Sequence, residues 1–125
     1  KALQPSIDRC FSAESVDAIL KNLDEDGGEW AQKTATTIRA KSPLSTRVAF
    51  DQIRAGAALE FEECMALEFR LTNRFMSAPD FYEGVRAVVI DKDQSPKWQP
   101  STLAAVSDEK VATYFASLGD NELTF

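Results

Sequence analysis

The sequence predicts an all-α protein, a bundle of about six helices, on three observations. Apolar residues recur at three- and four-residue intervals along most of the chain, with no convincing alternation of period two. Serine and proline stand where helices would begin, as in Ser42-Pro43 and Ser77-Ala78-Pro79-Asp80. Glycine stands where helices would end, at Gly27-Gly28, Gly56 and Gly119.

The first helix expected carries Val16, Ile19, Leu20 and Leu23, with Ser12 or Ser15 as its cap and Asp26-Gly27-Gly28 as its end. A second runs from about Glu29 to Ala40 and turns Trp30, Ala31, Thr34 and Ile38 inward. The third opens at Ser42-Pro43, where proline's missing N–H costs nothing, and stops at Gly56. It is apolar on two sides, Leu44 and Val48 on one and Ala49, Phe50 and Ile53 on roughly the opposite, as expected of a helix lying between two layers. The fourth and longest spans about Leu59 to Met76, with Glu68 and Thr72 in the middle of a broad apolar arc. The fifth begins at Ser77-Ala78-Pro79-Asp80, read as a serine cap with an acid three residues on, and ends in a charged Asp91-Lys92-Asp93 turn. A connection bounded by Pro96 and Pro100 leads to the last helix, capped by Ser107 and closed at Leu118-Gly119. With no repeat or low-complexity stretch, residues 1–125 are expected to form a single helical domain.

Composition narrows the functional classes. A net charge of −6 argues against a nucleic-acid or anionic-membrane surface, both of which need a basic patch. No apolar run approaches the roughly 20 residues of a membrane span, and Asp8, Arg9 and Glu14 interrupt any signal-peptide core. The expected location is the cytoplasm, or the mitochondrial matrix in a eukaryote. Cys10 and Cys64 form no CxxC and are expected as reduced thiols. Histidine is absent, which removes Ser-His-Asp and Cys-His chemistry and the commonest transition-metal ligand. Asn22-Leu23-Asp24-Glu25-Asp26-Gly27 imitates the start of a calcium loop, but position twelve would be Lys33 instead of a bidentate glutamate, so a helix terminus is the better reading. No cofactor or metal is expected.

Residues Asp80-Phe81-Tyr82-Glu83-Gly84-Val85-Arg86-Ala87-Val88-Val89-Ile90-Asp91-Lys92-Asp93-Gln94-Ser95-Pro96-Lys97-Trp98 carry the most specific signal. Together with Ile7-Asp8-Arg9-Cys10-Phe11-Ser12, Lys41-Ser42-Pro43, Met65-Ala66-Leu67-Glu68-Phe69-Arg70-Leu71 and Ser117-Leu118-Gly119, the segment closely resembles the end of the 3-hydroxyisobutyryl-CoA hydrolases, a branch of the crotonase (enoyl-CoA hydratase/isomerase) superfamily. The resemblance covers about residues 5–125. It implies the C-terminal helical part of an acyl-CoA thioester hydrolase of valine catabolism, packed on the catalytic core of a longer parent chain and helping to close the acyl-CoA pocket. In that family the oxyanion-hole donors and acidic residues belong to the core, so these residues alone are expected to be inactive, with acyl-CoA a partner of the parent only. The alternative is a non-catalytic module for self-association or assembly, and the apolar excess of the helices leads us to expect self-association in either case.

Site residues follow from the same resemblance. Val88 takes the position that lines the acyl pocket, and Lys92 that of a lysine near the nucleotide end of coenzyme A. Here Lys92 is flanked by Asp91 and Asp93, which would offset its charge, and a solvated turn is the competing reading. Glu68, central in an apolar arc, is either a general base or one half of a buried ion pair with Arg39, Arg47 or Arg86. Because the resemblance places the catalytic carboxylate on the core, the structural ion pair is favoured.

Overall fold

A computed structural model of the protein describes residues 2–125 and contains seven α-helices, with no strand among the described residues. The all-α class expected from apolar periodicity is the one observed. Contacts gather into two compact units, one ending at Lys41 and one spanning Ser42–Phe125, where the sequence reading expects a single domain.

The first unit holds α1 (Gln4–Phe11), α2 (Val16–Asp26) and α3 (Glu29–Arg39). Helix α1 was not anticipated: it has eight residues, Pro5 in its first turn and no side-chain cap. Ser15, of the two candidate serines, caps α2 by accepting the Ala18 N–H at 3.1 Å. Gly27 closes α2 in the left-handed region (φ 67°), where its N–H reaches the Leu23 carbonyl, a conformation that strains any side chain. Cys10, Val16, Ile19, Leu20, Leu23, Ala31 and Ala35 form the buried interior. The acids that imitate a calcium loop have other partners. Asp24 takes a bidentate contact from Arg39 (2.9 and 2.6 Å), and Asp26 accepts from Arg9 and from the Gly28 N–H.

The second unit holds α4 (Pro43–Gly56), α5 (Phe61–Met76), α6 (Pro79–Val85) and α7 (Asp108–Phe115). Leu44 and Val48 of α4, Leu67 and Leu71 of α5, and Val106, Val111 and Tyr114 make its core, with the Phe75 ring tilted against that of Tyr114 at 4.8 Å. The opposite face of α4 is open, with Ile53 76% exposed. Two termini differ from expectation. Helix α5 opens with a capping box, Glu60 and Glu63 each accepting the other's backbone N–H. Helix α7 ends at Phe115, before Leu118-Gly119, because arginines of α5 take over its terminal carbonyls. Arg70 donates to the Phe115 carbonyl at 3.0 Å, and Arg74 to those of Ala116 and Ser117. Arg70 also forks onto Glu122, which fixes the tail against α5.

Glu68 is a correction. It is exposed, and no ion pair involves it among the described residues. Arg39 is bound to Asp24, Arg47 to Asp108 and Arg86 to a cluster of its own. The broad arc of α5 divides. Leu67 and Leu71, with half-buried Cys64 and Phe75, face the core, while Phe61, Phe69 and Met76 are exposed. Glu68 falls at the edge between the halves, not at a buried centre.

These placements separate two substitutions. Leu71→Ala should destabilise the fold by about 2–5 kcal/mol, since it opens a cavity at a buried contact. Glu68→Ala should stay within about 0.5 kcal/mol of the parent, as exposed changes do. Chemical denaturation of both variants checks the pair, and a large loss for Glu68→Ala would return that residue to the interior.

Candidate functional site

The segment of highest sequence specificity is built around one buried acid and one guanidinium. Helix α6 starts at Pro79 with Ala78 as its N-cap and no side-chain cap, so Ser77 does not take the capping role expected of it. Asp80 turns inward instead. Buried, it accepts the Ser42 hydroxyl at 2.5 Å on one oxygen and the Gln99 N–H at 2.8 Å on the other. One carboxylate thus ties the start of α4, the start of α6 and the connection after Trp98. Burial raises the pKa of the Tyr114 phenol, and the nearby Asp80 carboxylate adds to the rise.

Beyond Val85 the helix widens into one π-helical turn over Arg86–Ile90, closed by the Asp91 N–H on the Arg86 carbonyl at 2.8 Å. The side chain of Arg86 gathers everything around that turn. Its Nε and Nη2 fork onto Glu83 at 2.9 and 2.7 Å, its Nη1 reaches Asp91 (2.8 Å) and Asp93 (2.7 Å), and Nη2 also donates to the Ser95 carbonyl. Glu83 accepts the Lys97 N–H at 2.8 Å as well, and Asp93 the Ser95 N–H at 2.9 Å. The Arg86 guanidinium, helped by the Lys97 N–H, lowers the Glu83 carboxyl to about 2, and Arg86 likewise lowers Asp93.

Lys92 and Gln94 both sit in the left-handed region at φ 55°. For residues other than glycine that costs roughly 1–3 kcal/mol each, and the surrounding bonds hold it in place. Trp98 then packs back onto α6, where an added Cβ on Gly84 would meet its ring at 3.3 Å.

This frame presents a strip of apolar side chains. Val88 is 54% exposed and Ile90 69%, with Val89 between them, while Ala87 is fully buried beneath. The two substrate-contact candidates, Val88 and Lys92, therefore lie at the two ends of one constrained segment, both exposed. The acids flanking Lys92 do not pair with it. Both are taken by Arg86, and Lys92 has no ion pair among the described residues. The arrangement offers an apolar surface followed by a cation, suited to holding a ligand with an apolar end and an anionic end. Sequence reasoning missed Arg86 as an organiser and Asp80 as a tie. The i,i+3 spacing of Glu83 and Arg86 was a legible signal for the first. The first unit has a separate open cleft of about 510 Å3 lined by Leu3, Ser6, Asp26, Gly28 and Trp30. No group of three metal-ligating side chains occurs among the described residues.

The sequence profile of the enoyl-CoA hydratase/isomerase family matches residues 1–115, and the chain belongs to that family. Among its relatives, it is 51% identical over 118 residues to the 3-hydroxyisobutyryl-CoA hydrolase, mitochondrial, of Danio rerio, and 42% identical over 119 residues to the protein of that name in Homo sapiens. These alignments cover 94% and 95% of this chain and 31% of each relative, so the chain spans about a third of the curated relatives' length. Two crystal structures are similar over 99% of the chain. One is a carnitinyl-CoA dehydratase from Mycobacterium thermoresistibile (TM-score 0.92, 32% identity, 35% of that chain), the other an enoyl-CoA hydratase from Rhodobacter sphaeroides (TM-score 0.90, 35% identity, 37% of that chain).

The Arg86 cluster predicts acid sensitivity with a definite sign. Glu83 falls from 4.5 to about 2 on folding, so its contribution is complete above pH 4.5 and is lost as pH falls toward 2. Glu83→Gln should lose stability at neutral pH and show a shallower decline over that window. Acid titration followed by Trp98 fluorescence in a Trp30→Phe background measures it, and identical slopes in the two proteins would remove Glu83 from the cluster.

Proposed function

We propose that this chain is the helical part of an acyl-CoA thioester hydrolase acting on 3-hydroxyisobutyryl-CoA in valine catabolism. It packs on the catalytic core of the parent and helps to close the acyl-CoA pocket. The exposed apolar strip at Val88, held in register by a π turn and followed by Lys92, a cation with no ion pair among the described residues, carries this reading. The names of the relatives support the substrate class. Val88 contributes to the acyl wall, and the Lys92 ammonium meets the anionic nucleotide end as a point charge. Attack on the thioester and stabilisation of its oxyanion belong to groups on the rest of the parent. Such an enzyme works in the mitochondrial matrix of a eukaryote or the cytoplasm of a bacterium.

Val88→Arg in the full-length protein tests the pocket role. Because Val88 is exposed in this chain, the variant should fold normally and lose about tenfold or more in kcat/KM for 3-hydroxyisobutyryl-CoA. Unchanged kinetics with a normal melt would place the strip outside the pocket.

A second reading is favoured by the open face of α4 and by Phe61, 73% exposed at the start of α5. These surfaces suit self-association of this region, with or without catalysis. Charge repulsion between copies is screened beyond about 8 Å at physiological salt, while apolar burial is not. Light scattering at micromolar concentration should report a dimer or larger species, shifted to monomer by Ile53→Asp. A monomeric mass at every concentration would exclude it.

A further inference from the structure

Asp91-Lys92-Asp93 poses an electrostatic problem for any role of Lys92. A cation between two carboxylates is largely neutralised for an incoming anion, because the carboxylates are local and permanent while the ligand must diffuse in. The geometry answers this. Asp91 and Asp93 both reach Arg86 Nη1, at 2.8 and 2.7 Å, although they flank Lys92 in sequence. Alternation of backbone conformation accompanies this arrangement, with positive φ at Lys92 and Gln94 on either side of Asp93. Asp93 is further fixed by the Ser95 N–H on its Oδ1, and the Ser95 hydroxyl donates to the Asp93 carbonyl at 3.1 Å. Arg86 is itself locked by the fork onto Glu83 from the preceding turn.

We propose that Arg86 is a positioning residue for anion binding: by holding Asp91 and Asp93 on its guanidinium it keeps both carboxylates off Lys92 and leaves that ammonium free for a phosphate group of the ligand. This rests on the reading of Lys92 given above, and it adds a residue that need not touch the ligand itself. Arginine suits the task because its planar fork serves several carboxylates at once and stays charged at any accessible pH. A lysine at position 86 would offer one compact charge and could not hold Glu83 in a fork while reaching both aspartates.

The test measures coenzyme A affinity by calorimetry on the folded full-length protein at fixed ionic strength. Lys92→Ala should weaken binding about three- to tenfold, the range of an exposed charge-assisted contact. Arg86→Gln should weaken it by a similar factor, and the double variant by little more than either alone, since both act through one ammonium. The decisive variant is Arg86→Gln/Asp91→Asn/Asp93→Asn. It still lacks the arginine, yet should recover most of the affinity, which a merely structural role for Arg86 would not allow. If Arg86→Gln fails to fold, Arg86→Lys replaces it, with an intermediate loss expected and the same recovery on removing the two acids. Unchanged affinity in Lys92→Ala would overturn the underlying reading and this inference with it. Loss in Lys92→Ala without loss in Arg86→Gln, or no recovery in the triple variant, would overturn the role of Arg86 alone.

Discussion

The guanidinium of Arg86 is the constraint on which the most specific part of this molecule depends. Its N–H groups are distributed over Glu83 behind it, Asp91 and Asp93 ahead of it, and the Ser95 carbonyl beyond. A helix ending in a π turn and two left-handed residues is an uphill conformation, and nothing in the local propensities of Val88, Val89 or Ile90 selects it. Backbone bonds from the Asp91 N–H to the Arg86 carbonyl and from the Gln94 N–H to the Ala87 carbonyl fix the turn, and charge-assisted bonds from one rigid fork set where its carboxylates point. The buried carboxylate of Asp80 does the matching work at the other end of α6, where it joins Ser42 and Gln99.

Arginine serves the same purpose elsewhere in an acidic chain. Arg9 and Arg39 bind Asp26 and Asp24 at the end of α2, and Arg47 spans to Asp108 and the Val106 carbonyl. Arg70 and Arg74 complete the C-terminus of α7 and hold the tail through Glu122. Several of these pairs are exposed, where a single ion pair adds little to stability. Their common effect is geometric: they fix loops and helix ends that the apolar core of Leu44, Val48, Leu67, Leu71 and Tyr114 does not reach.

Helices with clean apolar spacing and a side-chain cap were legible in the sequence. Ser15, Ser42 and Ser107 cap as their positions suggest, and Val16, Ile19, Leu20 and Leu23 are buried as their spacing requires. Helix α1 was missed because it is only eight residues long and has no side-chain cap, although Ile7, Cys10 and Phe11 share one face at helical spacing. The error at Glu68 has a different origin. A helical wheel reports which residues share a face, not whether anything lies against it, and half of the apolar arc on α5 is open among the described residues. The site was legible in part for the same reason. Val88 and Lys92 could be singled out from the sequence, whereas the turning of Asp91 and Asp93 away from Lys92 depends on backbone conformations that no local pattern encodes.

Gly84 and Trp98 carry a consequence for how this sequence can change over time. The indole ring lies so close to the glycine that a methyl group there would press on it, and α6 gains its contact with the following connection through that approach. An alanine at position 84 requires the ring to give way by a few tenths of an ångström, and a longer side chain by more. A smaller residue at position 98 leaves a gap that glycine cannot fill. The two positions are therefore expected to constrain one another, as a covarying couple embedded in a stretch whose other members answer to Arg86.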